Sequence, residues 1–194
     1  MILEKTFPTN NLNVTLFEQK LDDEKMNNKI IKEIDKQGDK QNHKTNVKAQ
    51  MTQWSMVDRP GFKQLANIIL DMSKTVAKQK YNVSLVPMIN DLWGMKYVSE
   101  DYTIIHDHWP AVFGCVYYIN PLQDFPGVSF PDLNIERRPE HGLLLMFPGW
   151  IKHGVKKKKF EGKRYCVSSN IYCAEYWTKI ASRNSIKPKD TTNK

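Results

Sequence analysis

Long hydrophobic runs are absent from the sequence. None of its apolar stretches reaches the roughly 18 residues that a membrane-spanning helix requires. The first residues, MILEKTFPTNN, also lack the basic start and apolar core that mark a secretory signal peptide. We therefore expect a soluble, cytoplasmic protein that does not associate with a membrane.

Cysteine is scarce too. Cys115, Cys166 and Cys173 form no CxxC pair and no other spacing typical of a metal site. All three lie in strand-like runs, and an odd number of cysteines in such surroundings is typical of free thiols. We expect no disulfide bond and a reducing compartment.

The composition is that of one folded domain. Apolar residues make up 40% of the 194 residues, enough for a core of its own. The net charge of +8 would suit an acidic partner such as nucleic acid. However, much of the excess lies in the four lysines at 156–159 and in the C-terminal tail, without interleaved aromatic residues. We therefore expect a single domain, 1–194, that does not bind nucleic acid. The four lysines form either a solvated turn or a basic rim that steers an acidic substrate.

Residues 1–83 are predicted to support the rest of the domain with a strand and two helices. The apolar alternation of residues 12–16 is typical of an edge strand. A first helix is expected from Asp22, which can cap it, to Gly38, a natural stop. The polar connector that follows contains His43, which has no companion ligand and is interpreted as a surface histidine.

The second helix is expected between Pro60 and Lys80. A proline suits the first turn of a helix because its missing N–H is not needed there. One face of the segment is apolar, as core packing requires; its members are Phe62, Leu65, Ile69, Met72 and Val76.

From residue 84 onward the pattern changes to short strands. Runs rich in β-branched and aromatic residues are separated by Pro, Gly, Asp and Asn; they read VSLVPMI, LWGMKYV, YTIIHDH, FGCVYYI, GVSF, GLLLMF and RYCVSSNIYCA. Many short strands with turn signals favour a sandwich or closed barrel over βαβ units. We predict a mainly β protein with N-terminal helices, whose core, 84–177, is a double-stranded β-helix (a jelly roll), followed by a polar tail, 178–194.

Two histidines stand one residue apart in the run IIHDHWPAVFGCVYYIN. On a strand, His106 and His108 would point to the same face, while Asp107 would point away. A third histidine, His153, follows in FPGWIKHGV, and Arg164 lies in the last strand-like run. Neutral imidazoles that converge can hold Fe(II), and a guanidinium can clamp a carboxylate. The alternative is that the histidines are core residues satisfied by hydrogen bonds, and that Arg164 pairs with a protein carboxylate.

Residues 93–173 resemble the 2-oxoglutarate- and Fe(II)-dependent dioxygenases, in particular the prolyl-hydroxylase-like branch and the uncharacterised phage proteins grouped with it. That family has a His-x-Asp motif, a strand ending in Tyr-Leu-Asn, a distal histidine, and then a basic residue. In this sequence His106, the run CVYYIN, His153 and Arg164 fall on those landmarks. The aspartate position of the family is occupied by His108, which is a departure.

The resemblance implies a site and its cofactors. His106, His108 and His153 would bind Fe(II), and Arg164 with Tyr118 would bind the distal carboxylate of 2-oxoglutarate, with Tyr97 as a weaker candidate. Either tyrosine is equally compatible with a core role. Three residues remain as alternative sources of a carboxylate ligand in place of His108: Asp107, Asp132 and Glu140.

The function that follows is a hydroxylase using Fe(II), 2-oxoglutarate and O2, with a peptidyl proline as the leading substrate among proteins, peptides and small molecules. Asn170, on the Arg164 strand face, would contact substrate, and Trp109 and Trp150 would either line the pocket or close the barrel end. Two other functions remain open. One is a cupin-type metalloprotein that does not use 2-oxoglutarate; the other is a non-catalytic jelly-roll binding or structural module of a phage.

Overall fold

The structure is a computed structural model that describes residues 1–9, 12–36, 45–120 and 124–175. The predictions for Gly38, His43 and the tail lie outside the described residues. Two helices, α1 (Glu24–Lys36) and α2 (Phe62–Tyr81), and a short 3-10 helix (Pro131–Leu133) accompany the strands. The strands are β1 (Ile2–Pro8), β2 (Asn13–Lys20), β3 (Val47–Lys48), β4 (Gln50–Met51), β5 (Pro87–Tyr97), β6 (Tyr102–His106), β7 (Phe113–Tyr118), β8 (Val128–Phe130), β9 (Ile135–Arg137), β10 (Leu143–Pro148), β11 (His153–Val155) and β12 (Arg164–Cys173).

The strands form two antiparallel sheets. The major sheet has seven strands in the order β1-β2-β10-β7-β12-β5-β4, and the minor sheet has five in the order β3-β6-β11-β8-β9. From β5 to β8, and again from β9 to β12, consecutive strands alternate between the two sheets, as in a double-stranded β-helix. The predicted fold, mainly β with N-terminal helices around a jelly-roll core, is confirmed.

The major sheet is buried on both faces, which explains its uninterrupted apolar runs. Along β10, Leu143, Leu145 and Phe147 belong to the core between the two sheets. Leu144 and Met146 point to the opposite face and belong to the core beneath α1 and α2. Because neighbouring residues of a strand point to opposite faces, the sheet separates these two cores.

The helices lie close to their predicted positions. Helix α1 begins one residue later than expected, because Asp23 rather than Asp22 caps it: Asp23 Oδ1 accepts the backbone N–H of Met26 at 2.8 Å. Helix α2 follows Gly61, whose φ of 81° and close approach to Met26 and Ile30 of α1 leave no space for a Cβ. The predicted apolar face of α2 is buried. Neither helix is long and apolar enough to cross a membrane, nor is any other helix in the described ranges.

Several strand predictions require correction. Two antiparallel strands, β1 and β2, replace the single predicted edge strand; β2 lies inside the sheet between β1 and β10, and Leu12 lies outside it. The two runs predicted between residues 84 and 98 form a single strand, β5. The sequence pattern missed β3, β4, β9 and β11, because strands of two or three residues are too short to show a period.

Candidate metal centre and carboxylate pocket

Three histidines converge at one end of the minor sheet. His106 is the last residue of β6 and His153 the first of β11, and the two are direct partners in the antiparallel ladder. The ring centroids of His106, His108 and His153 are 4.6 to 4.8 Å apart. One nitrogen of each ring lies within 4.8 Å of the others, so a single metal ion can contact all three. No other such group occurs within the described ranges.

His108 reaches this cluster from a loop. The prediction that it continues the strand of His106 is wrong, because β6 ends at His106. The backbone N–H of His108 donates to Gly149 O at 2.7 Å, which anchors the loop to the end of β10. Its ring lies over Gly114, where a Cβ would stand 2.9 Å from His108 Cδ2. The imidazole therefore needs a residue without a side chain on β7.

Hydrogen bonds orient two of the rings. His106 Nδ1 lies 2.7 Å from Ile104 O and His153 Nδ1 lies 3.0 Å from Ile151 O. A carbonyl oxygen only accepts, so each Nδ1 carries the proton and each Nε2 keeps its lone pair for a metal. This backbone support for the ring orientation is typical of metal-binding histidines.

Burial keeps the three imidazoles neutral. It lowers the pKa of His106, lowers that of His108 to about 3, and lowers that of His153 well below its usual value, with the neighbouring imidazoles adding to the effect on His108 and His153. Only the neutral imidazole binds a metal, so the triad is ready to do so near neutral pH.

None of the candidate carboxylates joins the triad. Asp107 points away, and its Oδ1 accepts the backbone N–H of Trp109 at 3.0 Å. Glu140 pairs with Arg137 at 2.6 Å and with Lys20 at 2.7 Å. Asp132 is exposed on the 3-10 helix. The donor set is three neutral nitrogens, a set that suits divalent iron, nickel, copper or zinc.

Arg164 lies at the start of β12 and faces the same cavity. Only 1% of it is exposed, and no carboxylate of the described residues pairs with it. Its Nη1 donates to Pro126 O at 3.3 Å and its Nη2 to Cys166 Sγ at 3.4 Å, while Nε has no partner in the described part of the chain. A buried cation without a counter-ion lowers the stability of the folded protein, so an anionic ligand that pairs with this guanidinium would be favoured.

Three aromatic rings surround the guanidinium. Its Cζ lies 3.6 Å from the ring centroid of Phe125, 4.4 Å from that of Tyr97 and 5.3 Å from that of Tyr118. Such cation–π contacts offset part of the desolvation cost but leave the donor edge of the guanidinium available.

The two candidate tyrosines differ in their hydrogen bonds. Tyr97 Oη lies 2.6 Å from Thr103 Oγ1. Tyr118 Oη is buried and has no partner among the described residues. Burial raises the pKa of both phenols, so each remains protonated and able to donate. Tyr118 is therefore the one with a free donor beside Arg164.

Two further polar atoms near the histidines have no partner in the described ranges, namely Trp93 Nε1 and Asn170 Oδ1. The Trp93 ring lies 6.5 Å from that of His108. Asn170 is paired across the ladder with Gly114, on which His108 lies. Asn170 was predicted as a substrate contact, but no role was predicted for Trp93. Trp93 alternates with Met95 and Tyr97 along β5, and this spacing could have indicated that its side chain faces the same side as theirs. Trp109 and Trp150 are 71% and 43% exposed and line a separate groove outside the barrel.

Comparisons with known proteins give matches in structure only. No protein-family model matches the sequence, and no curated protein does. A prolyl hydroxylase from Trichoplax adhaerens, in complex with a hypoxia-inducible-factor peptide, superimposes with a TM-score of 0.66 at 15% identity over 84% of this chain and 86% of that one. The viral collagen prolyl hydroxylase of Paramecium bursaria Chlorella virus-1, in a 2-oxoglutarate complex, gives 0.58 at 16% identity over 79% and 94%. HygX from Streptomyces hygroscopicus, with nickel, 2-oxoglutarate and hygromycin B bound, gives 0.63 at 10% identity over 82% and 83%.

These similarities define the class of fold. The chain has the double-stranded β-helix fold of prolyl hydroxylases and other 2-oxoglutarate/Fe(II) oxygenases. At such low identity the comparison concerns the fold alone. The activity must be argued from the residues of the cavity.

Proposed function

We propose that the protein is a non-haem oxygenase that uses Fe(II), 2-oxoglutarate and O2 to hydroxylate a C–H bond. The observation that carries this proposal is the buried guanidinium of Arg164, which lines the same cavity as the three histidines and has no carboxylate of the described residues as partner. A metal triad and an unpaired cation in one cavity fit a ligand that chelates a metal at one end and carries a carboxylate at the other.

Each residue then has a distinct role. His106, His108 and His153 would hold Fe(II) through Nε2. Arg164 would form a charge-assisted pair with the distal carboxylate of 2-oxoglutarate, and Tyr118 would donate a hydrogen bond to the same group. When bound, Fe(II) with 2-oxoglutarate supplies the O2 chemistry, in which 2-oxoglutarate is converted to succinate and CO2 as the substrate is oxidised.

The aromatic wall would exclude water and adjust to the ligand. The cavity has a volume of about 40 Å³, below the roughly 300 to 1,000 Å³ of most ligand sites. Lining side chains must therefore rotate when an organic acid enters. Phe125 does not line the cavity, but its ring is the one nearest the guanidinium, and we expect it to move as well.

A peptidyl proline is our proposed substrate. Support comes from prolyl hydroxylases among the proteins that share the fold, one of them in complex with a peptide. Among the described residues, Trp93 Nε1 offers an unpaired donor at the cavity wall and Asn170 Oδ1 an unpaired acceptor on the strand of Arg164, which suits a peptide group. We also propose a cytoplasmic location, with which the free thiols of Cys115, Cys166 and Cys173 are compatible. The phage association remains a prediction.

One observation favours a second function. The triad contains no carboxylate, and a cupin-type metalloprotein that does not use 2-oxoglutarate would have such a neutral donor set. In that case Arg164 would pair with the substrate itself.

Thermal unfolding separates the two functions. If 2-oxoglutarate binds only the folded, Mn(II)-loaded protein, a hundredfold excess over Kd adds about 2.7 kcal/mol of stability. Succinate, which lacks the 2-oxo group, should protect less. Arg164→Met should lose this protection and still bind Mn(II), because the histidines are unchanged. Arg138→Met, the same change at an exposed arginine, is the matched control. No shift of the parent with 2-oxoglutarate, or equal shifts of parent and Arg164→Met, would favour the cupin-type function.

A further inference from the structure

No anionic side chain of the described residues lines the cavity of the triad. Its lining consists of apolar and aromatic side chains, the three histidines, Arg164, Cys115, and the hydroxyl groups of Tyr97, Thr103 and Ser168. The carboxylates of two acids on the segments around His106 bond to the backbone: Asp107 Oδ1 accepts the N–H of Trp109 at 3.0 Å, and Asp101 Oδ2 accepts the N–H of Val98 at 2.9 Å. Within the described residues, no carboxylate faces the metal position.

The phenols and thiols that line the cavity or adjoin Arg164 do not supply negative charge either. Burial raises the pKa of Tyr97 and of Tyr118, so both phenols stay protonated. Burial likewise raises the pKa of Cys115 and of Cys166, so both thiols stay neutral. Among the described lining residues, Arg164 thus carries the single fixed charge, and it is positive.

The charges of the loaded site do not cancel. A divalent ion adds two positive charges to that of Arg164, and 2-oxoglutarate removes two. One positive charge remains in a largely enclosed space, where an unmatched charge is unfavourable. A carboxylate at position 108 would bring the sum to zero. His108 leaves the excess in place.

The metal position is reached from solvent past two partly exposed histidines, and the strand that carries His153 is flanked by lysines. His106 and His108 are partly exposed, whereas His153 is buried, so the metal position is approached from the side of the first two. Lysines flank β11 on both sides: Lys152 precedes His153, and exposed lysines occupy 156–159. Lys156 and Lys157 approach carboxylates only at 4.0 and 3.9 Å, so most of this positive charge faces solvent.

We propose that the metal-loaded site binds a small monoanion in addition to 2-oxoglutarate, a carboxylate or a halide, and that the histidine at position 108 creates this requirement. The inference rests on the proposed function, since it presupposes the metal and 2-oxoglutarate. A carboxylate would come from an acidic group carried by the substrate. A halide would come from solution.

Anion titrations of the Co(II)-loaded protein test the proposal without recourse to turnover. The visible absorption of Co(II) responds to its ligands. Formate and chloride are therefore titrated separately, with and without saturating 2-oxoglutarate, while perchlorate keeps the ionic strength constant. We expect a saturable spectral change in the parent. His108→Asp should bind the same anion at least about tenfold more weakly, because it adds a negative charge beside the metal.

His108→Gln is the matched control, since it alters the ligand but keeps position 108 neutral. Co(II) content is measured for each variant beforehand. We expect His108→Gln to retain more anion affinity than His108→Asp. Saturation by formate alone assigns the site to a carboxylate-bearing substrate, and saturation by chloride alone assigns it to a halide.

Three outcomes would overturn the proposal. If neither anion changes the spectrum of the parent while 2-oxoglutarate still raises its Tm, the anion site is wrong and the proposed function stands. If His108→Asp binds the anion as tightly as the parent, position 108 is not its cause. If the parent binds neither Co(II) nor 2-oxoglutarate, the anion site and the proposed function are both wrong.

Discussion

His106 and His153 are direct partners across the β6–β11 ladder, with ring centroids 4.6 Å apart. Residues opposite each other in an antiparallel pair project to the same face of the sheet, so the backbone itself aims both imidazoles at one point. His108 completes the cluster from a loop held to Gly149. The ladder therefore positions the first two imidazoles, and the hydrogen bond to Gly149 holds the loop that carries the third.

Removal of one ladder histidine should abolish tight metal binding. For His153→Ala we expect the affinity for Mn(II) or Co(II), measured by calorimetry, to fall by more than the roughly 10- to 100-fold that outer-shell changes cause. His141→Ala is the control, because His141 bonds to Ile119 O and does not belong to the triad. Equal losses in the two variants would argue against a triad site.

The hydroxyl of Tyr118 should affect ligand binding more than folding. Tyr118→Phe keeps the ring against Arg164 and deletes a hydroxyl with no partner among the described residues. We expect the free energy of unfolding to stay the same or rise slightly, and the affinity for 2-oxoglutarate to fall by about 1 kcal/mol.

Tyr97→Phe provides the contrast, since that hydroxyl bonds to Thr103. It should lower the free energy of unfolding by about 1 kcal/mol. Denaturant unfolding and 2-oxoglutarate titration measure the two quantities. Unchanged 2-oxoglutarate affinity in Tyr118→Phe would remove this residue from the proposed site.

Gly114→Ala should disturb the metal centre through the β7 position on which the ring of His108 lies. The added Cβ would stand 2.9 Å from His108 Cδ2 and 2.7 Å from Phe147 Cε2, so both rings must shift. We expect a loss of roughly 1 to 3 kcal/mol in stability, as for other overpacked positions. Metal affinity should fall as well, although every ligand is still present. A variant that binds metal like the parent would mean that the loop of His108 adapts freely.

The metal-free protein should lose stability as the pH falls below the ordinary pKa of histidine. In the folded state the three pKa values are lowered, that of His108 to about 3. Between that value and about 6.5 the unfolded chain binds more protons than the folded one, so the free energy of unfolding decreases as the pH falls. Each such histidine contributes up to about 1.4 kcal/mol per pH unit.

Urea unfolding at several values between pH 7 and 5 measures this slope. The carboxyl groups of Glu18 and Glu140, whose pKa values are lowered by their ion pairs and hydrogen bonds, add to the loss only at lower pH. His108→Asn should reduce the slope, because one buried imidazole no longer resists protonation. A parent slope near zero over this range would show that the imidazoles are protonated without cost.

The sequence by itself determined the helices and strands that have a clear hydrophobic period. It also determined which metal-binding and charged side chains a site could use. The apolar face of α2, with Phe62 and Leu65, follows from the helical period and from burial on one side. The unbroken apolar run of β10 follows from burial of the strand on both faces. The convergence of His106 and His108 was expected from their spacing, and the structure brings them together. Yet β6 ends at the first of them.

Features of the site that depend on contacts between distant segments of the chain were decided only by the tertiary structure. The ladder that pairs His153 with His106 joins residues far apart in the chain, and β11 is too short to show a strand pattern. The different roles of Tyr97 and Tyr118 depend on whether Thr103 lies within hydrogen-bond reach. The lack of a carboxylate beside the triad depends on Asp107 bonding to Trp109 and Glu140 to Arg137. Local sequence sets dihedral preferences and side-chain faces, whereas hydrogen-bond partners and charge balance arise when the sheets assemble.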